Sequence, residues 1–301
     1  MSAFDQVIAR CLPLIPRPIV RAVSRRYIAG EIFADAARVI TSLNREGLLA
    51  TVDVLGESVD RAELVGRAVG EYLEALDAIR RDDLRCNISV KPTQLGLMID
   101  AALCLDSVRR LARAARDHGN FVRLDMEDSR CTGATLDLHR TLRAEGFGNL
   151  GVVLQACLRR SLDDVRDLPE GTSVRLCKGI YIEPRVIAYR ERALINKNFV
   201  RLLGEMLDRG LYVGIATHDE EVVWEALQLI DRRRVPTEAY EFQMLLGVDQ
   251  ELRGMIRAAG HRLRVYVPYG SSWYAYSVRR LKENPRIAGY VVRSLLAPRR
   301  P

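Results

Sequence analysis

The chain has 301 residues, 48% of them hydrophobic and 28% charged, with 46 basic against 39 acidic residues and a net charge of +7. That is the composition of a globular protein, and no apolar run approaches the roughly 18 residues needed to span a bilayer. The positive excess is spread along the chain rather than gathered in blocks, so it draws anions and acidic surfaces mildly and argues against nucleic acid as a partner.

Residues 1–46 hold short apolar stretches interrupted by Pro13, Pro16 and Pro18, with no small-residue cleavage site behind them. They read as a helical segment that touches a membrane, not as a signal peptide, ahead of one large unit over 47–301. The six cysteines (Cys11, Cys86, Cys104, Cys131, Cys157 and Cys177) are far apart and include no C-x-x-C. This spacing indicates reduced thiols in a cytoplasmic protein and no zinc site.

From residue 49 onward, β-branched apolar runs alternate with stretches of helical period. The runs are 49–54, 86–90, 120–125, 150–155, 173–177, 211–216, 239–243 and 263–267. Helical segments are expected over 58–81, 100–118, 132–146, 161–167, 185–209, 218–234, 248–260 and 271–283. The last strand is expected to break at Pro268 and Gly270, with Ser271 and Ser272 capping the helix that follows. Eight βα repeats predict a (β/α)8 barrel, an α/β fold of TIM type with extra N-terminal helices. The rival is an open doubly wound sheet, but no strand is followed by G-x-G-x-x-G or a P-loop.

In a barrel, chemistry gathers at the C-terminal ends of the strands. Each strand here carries a polar group there: Asp53 with Glu57 beyond it, Lys91, Asp125 with Glu127, Gln155, Arg175 with Lys178 and Tyr181, Thr217 with His218, Gln243, and Tyr266. After the last strand Arg279 and Arg280 stand side by side, with Glu283 one turn beyond Arg279. Such a pair either lies solvated on a helix face or forks onto a carboxylate. Four cations (Lys91, Arg175, Arg279, Arg280) against Asp125, Glu127 and Glu57 suit an anionic ligand. His218 is the one histidine at a strand end; His118, His139 and His261 fall on helices or turns and read as surface. No metal-ligand spacing is present, and no G-x-S-x-G. On these grounds an enzyme acting on an anionic ligand stays open, and so does an aldolase-like lyase using Lys91 or Lys178 as a Schiff-base nucleophile with an acid–base partner such as Asp125. A non-enzymatic binder using the basic surface fits the organised polar set less well.

The motifs narrow this. DVLGE (53–57), SVKPTQLG (89–96), VRLDMED (122–128), VLQACLRR (153–160), VRLCKGIYIEP (174–184), ATHDE (216–220), YEFQMLLG (240–247) and YVPYG followed by VRRLKENP (266–285) occur in that order. Together they resemble the proline dehydrogenase family in its short single-function form, over nearly all of 49–296. The resemblance implies a distorted barrel with a final helix over its mouth. It also implies FAD at the C-terminal face and oxidation of L-proline to Δ1-pyrroline-5-carboxylate by hydride transfer to flavin N5. The electrons would pass to a quinone, and a separate pyrroline-5-carboxylate dehydrogenase would act next.

By the same resemblance Lys91, Asp125, Arg279 and Arg280 are the catalytic set, the two arginines clamping the proline carboxylate. Leu176, Tyr181, Tyr266, Tyr276 and Glu283 join them around the substrate, and Glu57 pairs with the first arginine as a gate. Asp125, Gln155, Arg175, Cys177, Lys178, Gly179, Thr217, His218 and Arg280 would hold FAD. Asp125 would lie by Lys91 and the flavin edge. Ile180 stands where the family usually has Ala, which opens an alternative substrate, hydroxyproline or another cyclic amino acid, whereas Tyr266 favours proline. A quinone acceptor would put the protein in the cytoplasm, peripheral at the inner face of the cytoplasmic membrane, with the basic ends of the chain at an anionic bilayer.

Overall fold

The computed structural model describes residues 20–21, 24–274 and 276–278. Its elements, in chain order, are α1 (Phe33–Arg45), β1 (Leu49–Val54), α2 (Ala62–Arg81), β2 (Cys86–Val90), α3 (Ala101–Asp117), β3 (Val122–Leu124), α4 (Ser129–Ala144), β4 (Leu150–Gln155), α5 (Ser161–Asp167), β5 (Ser173–Cys177), α6 (Arg192–Asp208), β6 (Tyr212–Ala216), α7 (Glu220–Arg233), β7 (Tyr240–Leu245), α8 (Gln250–Ala258) and β8 (Leu263–Tyr269). The eight strands close into a parallel barrel, β1 pairing with both β2 and β8. The expected (β/α)8 architecture is therefore present. The final helix expected over the barrel mouth falls on residues beyond 278, outside those described.

Parallel strands buried on both faces normally read as continuous apolar runs, but these alternate for a different reason. The apolar set, including Val52, Ile88, Val90, Leu124, Val152, Leu154, Val174, Leu176, Val213, Ile215, Phe242, Val265 and Val267, packs with the inner faces of the helices into one hydrophobic cluster. The intervening set faces the barrel axis and is polar: Thr51 and Asp53, Ser89, Arg123, Arg175, Glu241 and Gln243 are all buried. The hydrophobic core is thus a ring between sheet and helices, and the axis is left for charge. Two glycines make room for it. A Cβ at Gly151 would meet the Arg123 guanidinium at 2.4 Å, and one at Gly214 would meet the Gln243 amide at 2.4 Å.

Several boundaries differ from the sequence reading. β8 does not stop before Pro268 but runs on to Tyr269. Leu246 N–H bonds the Tyr266 carbonyl on the β7 side at 3.0 Å. By residue 268 β7 has ended, so no donor is required there, and the Pro268 carbonyl accepts from Ala29 N at 2.9 Å instead. α6 begins at Arg192, not 185, because 178–191 form a loop held by its own bonds. α4 begins earlier than expected, at Ser129, capped by the Asp128 side chain on Arg130 N. His139 is not a surface residue: positions 132, 135, 136, 139 and 142 form the buried stripe of α4, and it lies on that stripe, 1% exposed. Burial, followed by the charges of Arg143 and Arg123, pushes its pKa down to about 4.

Candidate active site at the barrel mouth

A cavity of about 450 Å³ opens at the C-terminal ends of the strands. One wall is a network of short bonds built from inward-facing strand residues. Arg175 Nη1 donates to Asp125 Oδ1 at 2.6 Å and to Ser89 Oγ at 3.1 Å, while its Nε donates to Gln243 Oε1 at 2.5 Å. Asp125 also accepts from Ser89 Oγ at 2.7 Å and, on its other oxygen, from Tyr266 OH at 2.9 Å. The Arg175 guanidinium lies 5.2 Å from the centre of the Tyr266 ring, a cation–π contact. Burial, reinforced by Asp125 and Asp53, raises the Tyr266 phenol well above its ordinary range, so it stays a proton donor.

Lys91 sits beside this network, and its ammonium bonds the fully buried Asp53 at 2.5 Å. Burial alone would lower the Lys91 pKa. The carboxylates of Asp53 and Asp125 outweigh it and raise it, so the group is held as a cation. Glu127 is tied to Thr93, accepting from its N at 2.9 Å and its hydroxyl at 2.6 Å.

The opposite side of the cavity comes from the ends of β4, β5 and β6. Gln155 donates to the Glu127 carbonyl at 3.1 Å and the Met126 carbonyl at 3.3 Å, while its Oε1 is buried with no donor among the described residues. Gly179 has φ +93°, and a Cβ there would meet Cys157 Sγ at 2.3 Å, so the backbone passes where no side chain fits. Burial lifts the Cys177 thiol to about 12, which rules it out as a thiolate. His218 Nε2 accepts from Leu245 N at 2.8 Å, leaving the ring in a fixed tautomer. Lys178 pairs with Asp219, which also accepts from Arg192 at 2.7 Å. Burial opposes that charge, but the Lys178 and Arg192 bonds prevail and hold Asp219 below the usual carboxylate range. A cavity of similar size, about 500 Å³, lies on the outer wall between α4 and α5, lined by ion pairs such as Arg160–Asp164 rather than by strand ends.

Comparison with known proteins fits this geometry. Residues 36–293 match the family model described as proline dehydrogenase. The chain belongs to the proline dehydrogenase family. It is similar to the proline dehydrogenase of Deinococcus radiodurans, 34% identical over 298 residues that cover 95% of this chain and 96% of that protein. It is likewise similar to proline dehydrogenase 1 of Bacillus subtilis, 34% identical over 277 residues covering 92% of this chain and 91% of that one. In fold it resembles the crystal structure of proline utilization A (PutA) from Bdellovibrio bacteriovorus inactivated by N-propargylglycine, with a TM-score of 0.81 and 27% identity. The match covers 87% of this chain but only 32% of that longer one. Membership in the proline dehydrogenase family makes the protein an oxidoreductase.

Most residues that the family motifs single out converge here. Lys91, Asp125, Gln155, Arg175, Cys177, Lys178, Gly179, Tyr181, Thr217, His218, Tyr266 and Tyr276 all line the 450 Å³ cavity. Glu57 lines a neighbouring cavity of about 490 Å³ that shares Lys91 and Tyr276 with the first. Arg279, Arg280 and Glu283 lie outside the described residues. Leu176 does not reach the site: the alternation that turns Arg175 and Cys177 inward sends it, fully buried, into the hydrophobic ring. Asp125 lies near enough to Lys91 to help raise its pKa, while the ammonium's own hydrogen bond goes to Asp53. Asp53 and Gln243 stood in the sequence reading as strand-end polar groups without a site role, and Ser89 only as part of a motif; all three belong to the site network. Each lies within a motif already in view, and strand alternation turns it inward. Among the described residues no group of His, Cys, Asp and Glu could hold a metal, and no helix is long and apolar enough to cross a membrane.

Proposed function

We propose that this protein oxidises L-proline to Δ1-pyrroline-5-carboxylate with FAD as its cofactor, and hands the electrons to a quinone. The observation that carries the reading is the 450 Å³ cavity at the barrel mouth, with a fixed cation on one wall and, among the described residues, an unsatisfied buried acceptor on the other. The fit to a flavin rests on that second wall. The orphaned Gln155 Oε1 suits an N–H of a planar heterocycle, and the bare backbone at Gly179 allows close approach. Gln155, Arg175, Cys177, Gly179, Thr217, His218 and Lys178 would hold the group. When bound, FAD supplies a two-electron acceptor for hydride.

This chain's own residues account for the rest. Lys91, held as an ammonium, offers a positive charge to a carboxylate, and Arg279 and Arg280 would complete the clamp with Glu283 and Glu57 beside them. The ring would pack on Tyr181, Tyr266 and Tyr276. The proline amine must be neutral before hydride leaves its neighbouring carbon, and nearby cations lower an amine's pKa. Asp125 accepts three bonds on its two oxygens, from Ser89, Arg175 and Tyr266, so it serves as the fixed point that orients Arg175 and Tyr266. The same geometry counts against the Schiff-base lyase. Its nucleophile must be a free amine, whereas Lys91 is paired with Asp53 and Lys178 with Asp219. Residues 47–301 would be the catalytic unit, with a separate pyrroline-5-carboxylate dehydrogenase taking the product. The quinone would keep the enzyme in the cytoplasm at the inner face of the membrane.

The deciding experiment is an absorption spectrum of the purified protein, supplied with FAD, before and after anaerobic L-proline. Flavin bands near ~450 nm that bleach are the expected result. A flavin spectrum that proline leaves untouched would move the substrate to another cyclic amino acid, through Ile180 at the cavity rim. Failure to take up flavin would overturn the reading.

A further inference from the structure

The loop between β5 and α6 leaves the cavity at Tyr181 and returns to it at Arg192, the first residue of α6. Lys178, Gly179, Ile180 and Tyr181 line the cavity. Beyond them the loop turns aliphatic side chains into solvent: Ile182 is 88% exposed and Val186 80%, Ile187 follows, and Leu194 adds to them from the first turn of α6. With Ile180, five of the ten large exposed hydrophobic residues among those described fall between 180 and 194. Single exposed hydrophobics are ordinary, but a cluster beside a functional site marks a contact surface.

The loop is held in this attitude. Glu183 points inward, accepting from Ser129 N and Oγ at 2.7 Å each. Ala188 is buried, and Ala188 N bonds the Pro184 carbonyl at 3.0 Å. Arg159 N bonds the Ile187 carbonyl at 2.9 Å, and Tyr189 N bonds the Cys157 carbonyl at 2.8 Å. The Arg190 guanidinium closes the base of the loop on the Glu183 carbonyl at 3.0 Å. Inward-facing anchors thus alternate with outward-facing aliphatic tips, and the tips are not the by-product of a loose segment.

The rim identifies the partner. Arg185, Arg190, Arg192 and Lys197 are exposed on the same loop and the start of α6, whereas Glu191 is the one exposed acid between 178 and 197. Glu183 is buried, and Asp219 is already shared by Lys178 and Arg192. Narrow aliphatic tips within a cationic rim complement a negatively charged leaflet, where apolar insertion and headgroup attraction add.

We propose that this loop docks the protein on an anionic lipid surface. Ile182 and Val186 enter the boundary between headgroups and acyl chains, while Arg185, Arg190 and Lys197 meet the phosphates. Docking there brings the cavity mouth to the bilayer, where a quinone is dissolved; that consequence rests on the proposed function, but binding itself is read without substrate or acceptor.

The test is flotation of the full chain, loaded with FAD, on phosphatidylcholine vesicles with and without phosphatidylglycerol. We expect binding that requires phosphatidylglycerol and weakens with salt, and a drop of roughly tenfold or more for the double variant Ile182→Ser, Val186→Ser. Neither residue lines the cavity, so bleaching by proline should be unchanged in that variant. Lost bleaching with retained vesicle binding would refute the proposed activity and leave the docking loop standing. In a second measurement, Ile182→Trp should give emission that shifts to the blue on adding the same vesicles. Equal binding by wild type and double variant would place the contact elsewhere on the chain and overturn the proposal. So would a wild type that ignores the vesicles, since the loop would then face another protein, or a tryptophan at 182 whose emission does not move.

Discussion

At the scale of single residues, the Lys91–Asp53 pair is the point where stability and function meet. Asp53 is fully buried, and its Oδ2 has no donor among the described residues, so Lys91 carries the neutralisation nearly alone. Removing one partner of such a pair leaves a buried charge uncompensated, at about 3–5 kcal/mol, whereas removing both is far milder. Lys91→Met should therefore destabilise by about that much, and Lys91→Met with Asp53→Asn should recover most of the loss. Urea unfolding of the two singles and the double checks this; a double as unstable as the sum of the singles would show that the pair is not coupled. The rescued double should still bind flavin but not bleach with proline, which separates the fold's need for Lys91 from the reaction's. Gln243 makes a second test. Its amide orientation is fixed because Nε2 donates to Glu241 at 2.6 Å, which turns Oε1 to Arg175. Gln243→Leu strips a buried guanidinium N–H of its acceptor, a loss of about 1–3 kcal/mol, and should weaken FAD retention measured by equilibrium dialysis. Sequence reading located Lys91 and Arg175 but not what they touch. Asp53 and Asp125 are equally plausible partners for Lys91 along the chain, since β2 lies between β1 and β3, and only the folded geometry, which puts the ammonium 2.5 Å from Asp53, decides between them.

At the scale of elements, the strands were more legible than the helices. β1, β2, β4 and β5 begin and end where their apolar runs do, because both faces of a barrel strand are buried and the run stops where burial stops. Helix starts were less legible where loops carry apolar residues of their own: α2 begins at Ala62 rather than 58, and α6 at Arg192 rather than 185. In α6 the misleading signal was Val186 and Ile187, apolar residues of the preceding loop that face solvent. On α4 the error ran the other way, since His139 belongs to the buried stripe. That position has a pH consequence. Folded His139 has a pKa of about 4 against an ordinary 6.5, so between these values the unfolded chain binds a proton that the folded chain does not. Acidification through this window favours unfolding, by roughly 3 kcal/mol from this residue when complete. Guanidinium unfolding at pH 6.5 and pH 4.5 should show the loss in the wild type and a distinctly smaller one in His139→Gln; an equal loss in both would exclude His139 as its source.

At the scale of the whole molecule, the barrel is closed at its mouth by chain that precedes β1. Ala29 N bonds the Pro268 carbonyl at 2.9 Å, and Gly270 N bonds the Gly30 carbonyl at 3.0 Å, so residues 29 and 30 extend the sheet where β7 has ended. Tyr27, Ile28 and Leu55 form a small hydrophobic cluster with Trp273 and Tyr276, and Tyr276 lines the cavity. The N-terminal segment is therefore a footing for the helix that follows β8, a role that composition could not disclose because it depends on packing between residues more than two hundred positions apart. Gly247, just after β7, is where this footing can be tested. It has φ +71°, and a Cβ there would lie 1.7 Å from the Arg26 carbonyl oxygen, a backbone atom that cannot give way by changing rotamer. Gly247→Ala must push residues 24–30 off the barrel or distort its own turn. We expect faster tryptic cleavage at the exposed Arg25 and Arg26, a raised KM for proline as Tyr276 loses its support, and little change in flavin content, since the residues proposed to hold the flavin sit on β4 and β5 and just past the ends of β5 and β6. Unchanged cleavage with a raised KM would trace the effect to the β7 turn itself. Unchanged cleavage and unchanged KM would show that the mouth is held without the N-terminal segment.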